Sequence, residues 1–152
     1  MQTDPRAEIK SFQEIASLTL GGYQLIEAML KTYLRNYFQI AKHRLGSDFY
    51  FGFSGDDYDK AAIGTLLRVF SKTCADSALI KDLQAEVPHR DHVAHQALLV
   101  LYRRQPCNYA ELRELADELS ARSVSITNIL IQLNELHEGL VAPYKKHLRL
   151  SA

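Results

Sequence analysis

From Phe12 onward, apolar or aromatic residues recur at Ile15, Tyr23, Ile26, Leu30, Tyr33, Tyr37 and Ile40, with Thr19 at the one polar step. Three/four spacing held over so many turns predicts a long helix with one buried face. Gly21-Gly22 interrupts the stripe. Two adjacent glycines cost about 2 kcal/mol against alanine in a helix, so the pair implies a kink or a close helix contact. Residues 46–57 (GSDFYFGFSGDD) carry turn formers and no helical period, which predicts a loop. Its aromatics, Phe49, Tyr50, Phe51 and Phe53, suit a plug for the end of a bundle or an oligomer contact; stacking on bases is the alternative.

A second helix is expected after Asp56 or Asp57 as N-cap, running to about Cys74 and burying Ile63, Leu66, Leu67 and Phe70. A third starts near Asp76 or Ser77, with a stripe through Leu79, Leu83, Val87, Ala94, Leu98 and Leu101. Pro88 falls inside it and must kink or restart the helix, because proline removes a ladder bond and crowds the preceding turn. The last helix has an Asn108-x-x-Glu111 capping signal, a stripe through Leu112, Leu115, Leu119, Ile126, Ile129, Leu133 and Leu136, and Gly139 as its expected stop. No repeat, low-complexity tract or strand-like alternation appears. The pattern predicts an all-α protein, an antiparallel up-down bundle of four main helices in one domain over 1–152.

Composition narrows the function classes. Hydrophobic residues at 47% and charged residues at 24% suit a globular domain with a real core. Net charge is zero, so binding to nucleic acid or a membrane surface has to rest on a local patch. Cys74 and Cys107 lack metal-site spacing and read as reduced thiols of a cytoplasmic protein. The start, MQTDPRAEIK, has no apolar leader core, and no apolar run approaches the roughly 18 residues that cross a bilayer. The Tyr144–Arg149 run is a small basic cluster of the solvated kind.

Chemistry concentrates in Pro88-His89-Arg90-Asp91-His92-Val93-Ala94-His95, which holds three of the six histidines. Titratable groups beside a core cost free energy unless paired or used. Metal-independent RNA cleavage needs a base for the 2′-hydroxyl, an acid for the leaving oxygen and positive charge at the phosphorane. His95 can serve as acid or base, the role imidazole side chains take most often. Arg90 can hold phosphate oxygens through two parallel hydrogen bonds. Asp91, one turn before His95, can orient its ring or bind Arg90. Five residues turn a straight helix by about 140°, so Arg90 and His95 do not share a face; a kink or a second copy has to complete the pair. The Arg-x4-His spacing alone is expected roughly 0.4 times by chance in this composition.

In context, the chain resembles the HEPN superfamily (higher eukaryotes and prokaryotes nucleotide-binding domains) over about residues 10 to 140. The resemblance lies in a first helix reading IASLTLGGYQLIEAMLKTYL, a second reading AIGTLLRVFSK, Arg90-Asp91-His92-Val93-Ala94-His95 on the third, and a long closing helix. It implies a bundle that forms a homodimer with both Arg/His motifs lining a shared cleft. It also implies metal-independent endoribonuclease activity of the toxin, defence or RNA-processing type, with no cofactor and with an antitoxin or regulatory partner. By position, Arg90 matches the motif arginine, Asp91 the polar residue after it and His95 the motif histidine; Glu27 stands where related first helices carry an acidic residue. His92, Arg68, Arg103 and Arg104 are candidate RNA contacts. Asp91 replaces the commoner asparagine, and Ala97 stands where one toxin branch carries a modifiable tyrosine, so that branch's antitoxin pairing does not carry over.

Three other expectations stand beside this one. The first is a catalytically inactive RNA-binding or interaction bundle, in which Arg90 and His95 belong to a structural hydrogen-bond network. Another is a zinc or iron site on His89, His92 and His95, disfavoured because helical bundles draw ligands from several helices, and His43, His137 and His147 add no ligand pattern. The last is a DNA-binding helix-turn-helix within 108–141, turning at Arg122-Ser123 and presenting Thr127, Asn128 and Gln132. The unbroken stripe through Leu119, Ile126 and Leu133 and the scarcity of cations oppose it.

Overall fold

A computed structural model describes residues 5–102 and 108–148, apart from the side chains of residues 5 and 101. The fold is all-α: among the described residues there are helices and short 3-10 turns and no strand. The helices are α1 (Pro5–Leu45), α2 (Ile63–Thr73), α3 (Ser77–Glu86), α4 (His89–Tyr102) and α5 (Tyr109–Val141). The third predicted helix is realised as α3 and α4, the restart that Pro88 allows. Asp76 caps α3, its Oδ1 accepting from the Leu79 N–H at 3.0 Å, and Asn108 caps α5 by accepting from the Ala110 N–H at 3.1 Å.

Two boundaries differ from the sequence pattern. α2 starts at Ile63 because Asp57 does not act as its N-cap. Asp57 instead closes a capping box with Ser54 around a 3-10 turn at Gly55–Tyr58. α5 continues past Gly139 to the buried Val141 and gives way at Pro143 to a 3-10 turn over Ala142–Tyr144.

The chain divides into two compact units, Met1–Gln24 with Ala85–Asn128, and Leu25–Gln84 with Ile129–Ala152. In the first, the core is built on Phe12, Ala16, Tyr23, Val93, Ala97, Leu112, Leu119 and Ile126. Thr19, fully buried, donates to the carbonyls of Ile15 at 2.7 Å and Leu119 at 3.4 Å, so its hydroxyl is satisfied inside the apolar stripe. α1 runs unbroken through Gly21-Gly22, and the close-contact alternative is the one realised. A Cβ on Gly22 would stand 2.5 Å from Ile126 Cγ2, whereas at Gly21 it would meet open space.

The second unit is built on Ile26, Leu30, Tyr33, Leu34, Phe38, Ile63, Leu66, Leu67, Phe70, Leu79, Leu83, Ile129 and Leu133. Fully burying one such side chain stabilises by roughly 1.5–3 kcal/mol. Gly46, at φ 71, ends α1 in the left-handed conformation that glycine adopts without steric cost. The following loop folds back, with Phe53 and Tyr58 stacked on Phe38 at 5.8 Å and Arg35 bonded to Asp59 Oδ1 at 2.6 Å. The aromatic segment therefore covers Phe38 only in part: Phe51 is half-buried, while Phe49, Tyr50 and Phe53 remain exposed.

Helix directions refine the up-down expectation. In the first unit, pairs between α1 and α5 advance together (Glu8 with Arg113, Thr19 with Leu119, Gly22 with Ile126), so these helices run parallel. The second unit repeats this with Asn36–His137, and His43 meets Tyr144 in the turn that follows α5. The antiparallel relation holds instead for α2 against α1 in the second unit, where Tyr33 meets Phe70 on α2 and Phe38 meets Tyr58 before it; in the first unit α4 lies beside α1, with Ala94–Leu98 next to Phe12–Leu20.

Candidate functional site on α4

The motif occupies the opening turns of α4. Pro88 prevents α3 from continuing, and the Arg90 N–H bonds the Val87 carbonyl at 3.2 Å to close the turn from which α4 starts. That turn shifts the helical phase by one residue. The stripe through Leu79, Leu83 and Val87 is buried as the sequence predicts, but beyond the turn Val93 (1% exposed) and Ala97 (8%) face the core, while Leu98 is 53% exposed. Ala94 is only half-buried.

The shift decides where the titratable groups lie. Asp91, His92 and His95 are exposed, and His89 and Arg90 are half-buried at the margins. Arg90 Nη1 lies 3.5 Å from Asp91 Oδ1, an ion pair between neighbours whose carboxylate is almost fully solvated. Such a pair contributes little to stability. His95 makes no hydrogen bond among the described residues, so Asp91 engages Arg90 rather than orienting the imidazole. Arg90 and His95 project on different faces of one helix, as the 140° rotation requires. A hydrogen-bond network inside the chain that would give His95 a structural role is not present among the described residues.

The remaining candidates fall elsewhere. Arg68 is exposed on α2, in the second unit, and Glu27 in that unit pairs with Lys31 at 2.9 Å. Arg103 and Arg104 lie outside the described residues. Ala97 packs into the core face, so a tyrosine at this position would not be presented to a modifying partner. Among the described residues no group of three or more His, Cys, Asp and Glu side chains is placed to hold a metal ion. The disfavoured helix-turn-helix finds no turn: α5 passes unbroken through Arg122-Ser123, as the continuous stripe implied, and Arg122 is drawn inward by carboxylates.

That inward turn exposes a cluster the sequence reading missed. Tyr23 donates to Glu86 Oε1 at 2.7 Å, and Arg122 reaches the same oxygen at 3.4 Å and Glu118 at 3.0 Å. Burial, then the Glu86 carboxylate, pushes the Tyr23 hydroxyl well above the usual phenol range. Burial works against the Arg122 charge, yet its bonds to Glu118 and the charge of Glu86 raise it above the ordinary guanidinium value. Arg122 Nε is buried without an acceptor. In the second unit Asn36 Nδ2 lies 2.8 Å from His137 Nε2, both side chains buried. Burial lowers the His137 pKa, so the ring accepts the amide N–H in its neutral form. The signal was available in part: Arg122 occupies the stripe between Leu115 and Ile129, seven residues from each, and Tyr23 belongs to the α1 stripe.

Comparisons of the chain with protein-family models, curated proteins and solved structures return no match. Among the described residues, no helix is long and apolar enough to cross a membrane.

Proposed function

We propose that the chain is a HEPN-like, metal-independent endoribonuclease whose site forms where the outer α4 faces of two copies meet. One observation carries this reading. The outward stripe of α4 changes character along its length, from Asp91 and His95 to Leu98 and Tyr102, in steps of three and four. Leu98 is 53% and Tyr102 80% exposed, so the apolar half lacks a cover among the described residues. Covering it with a second α4 brings the titratable halves to the edge of the same contact, because His95 is only about 4.5 Å of helix rise from Leu98.

In such a pair, one His95 takes the proton of the 2′-hydroxyl as its oxygen attacks phosphorus. The second copy's His95 protonates the 5′-oxygen as the P–O5′ bond breaks, leaving a 2′,3′-cyclic phosphate and a 5′-hydroxyl. Arg90 exchanges its Asp91 contact for the phosphate oxygens and offsets their developing charge. His95→Ala and Arg90→Ala are expected to lose at least about a hundredfold in cleavage of single-stranded RNA in EDTA, the scale of one general acid–base or charge-stabilising group. Their thermal midpoints should match the wild type, since neither side chain is in the core. Retained cleavage in both variants, or no cleavage by the wild type, rejects the enzyme.

The second reading is an interaction bundle of the same architecture without catalysis. It is favoured by Asp91, whose carboxylate occupies the guanidinium that the phosphate would need. RNA bound but uncut would support it.

A further inference from the structure

Beside the α4 face, on the flank toward α5, the first unit carries a groove of about 400 Å³ lined by Gln96, Leu99, Val100, Glu111, Glu114, Leu115 and Glu118. Its floor is apolar, with Leu99 44% exposed and Val100 and Leu115 half-buried. Its α5 wall is acidic at Glu111, Glu114 and Glu118, steps of three and four that place the carboxylates on one side of the helix. Glu118 is held by Arg122. Glu111 and Glu114 are exposed and enter no ion pair among the described residues. The nearest α5 cations do not compensate them, because Arg113 is engaged by Glu8 and Arg122 is turned into the core by Glu86. The result is an apolar trough between two helices, with a negative wall whose Glu111 and Glu114 no cation among the described residues pairs.

We propose that this groove docks a basic amphipathic helix of a partner protein, its apolar side chains on Leu99, Val100 and Leu115 and its lysines or arginines against Glu111 and Glu114. Helix-in-groove docking uses apolar anchors spaced three and four residues apart, and opposite charge at the rim fixes orientation and partner choice. The same carboxylates repel a phosphate backbone, so the groove is a protein site and RNA is directed away from it.

The proposal does not depend on RNA cleavage, and its test reads binding alone. A synthetic helix with leucines at three/four spacing and flanking lysines is titrated into the full-length protein by fluorescence anisotropy. A sequence-scrambled version and a version with glutamate for lysine serve as controls. The lysine helix is expected to bind more tightly than both controls by at least about tenfold, to weaken with salt, and to lose about tenfold in the Glu111→Lys/Glu114→Lys protein, near 1.4 kcal/mol. Glu111→Gln/Glu114→Gln, which cannot invert the local field, should lose part of that. Circular dichroism verifies that both proteins fold. Equal binding of the lysine and glutamate helices, or affinity unchanged by both substitutions, overturns the proposal. So does displacement of a second copy of this chain by the peptide in sedimentation, which would make the groove a self-association surface.

Discussion

The two units bury polar groups in opposite ways. The first holds an ion pair, buried Glu86 with half-buried Arg122, to which the neutral Tyr23 hydroxyl donates, and leaves an N–H of Arg122 without an acceptor. The second encloses a neutral pair, Asn36 and His137, and seals its core with stacked aromatics around Phe38. A buried charge is costly to strand. A buried neutral imidazole is the reverse: modest in cost and exposed to acid. The first unit also carries the open α4 face and the acidic groove. The unit with the less forgiving core therefore presents the surfaces on which we place function.

The largest effect expected from breaking this contrast is at Glu86. Glu86→Ala strands the Arg122 guanidinium with only the solvent-side Glu118 and should cost about 3 kcal/mol in urea unfolding. A loss below about 1 kcal/mol would show the ion pair to be energetically slack. Next is Gly22→Ala. The added methyl would collide with Ile126, a buried, β-branched side chain that is stiff at χ1, so about 2 kcal/mol should be lost. Its neighbour reverses the sign: Gly21→Ala meets open space inside a helix and should gain about 0.5–1 kcal/mol. Opposite signs at adjacent glycines would confirm the α1–α5 contact in the first unit; equal signs would refute it.

The smallest effect belongs to His137. Its folded pKa lies below the ordinary 6.5, so the unfolded chain takes up the proton first. The stability it contributes is intact above about pH 6.5 and falls as the pH drops from there through the folded value. The slope is at most about 1.4 kcal/mol per pH unit. His137→Gln should remove that component of the stability–pH profile, and a profile identical to the wild type would assign the acid sensitivity elsewhere.

The all-α class was legible because the apolar period is helical throughout, and every buried residue expected on α2 is buried. What failed to show was phase and pairing. A stripe read straight across Pro88 places Ala94 and Leu98 inward, but the turn at Val87–Pro88 moves the core face to Val93 and Ala97. No periodicity rule carries a phase across a proline restart. Gly139 looked like a stop because glycine is favoured at helix ends, yet Val141 has enough burial beyond it to extend α5 to the next proline. The cluster of Tyr23, Glu86 and Arg122 joins residues 63 and 36 positions apart, and local pattern cannot pair them. The motif residues were visible as a cluster, and their exposure was not, since it follows from that same one-residue shift.

The claim that the outer α4 face of two copies forms the site is tested most directly by Leu98→Asp, which charges the apolar half of the stripe without touching Arg90 or His95. Sedimentation and RNA cleavage should be measured on the same sample, beside the wild type. The account predicts that the wild type sediments as a dimer and cleaves in EDTA, whereas the variant remains folded, sediments as a monomer and does not cleave. A Leu98→Asp monomer that cleaves RNA as fast as the wild type would contradict it.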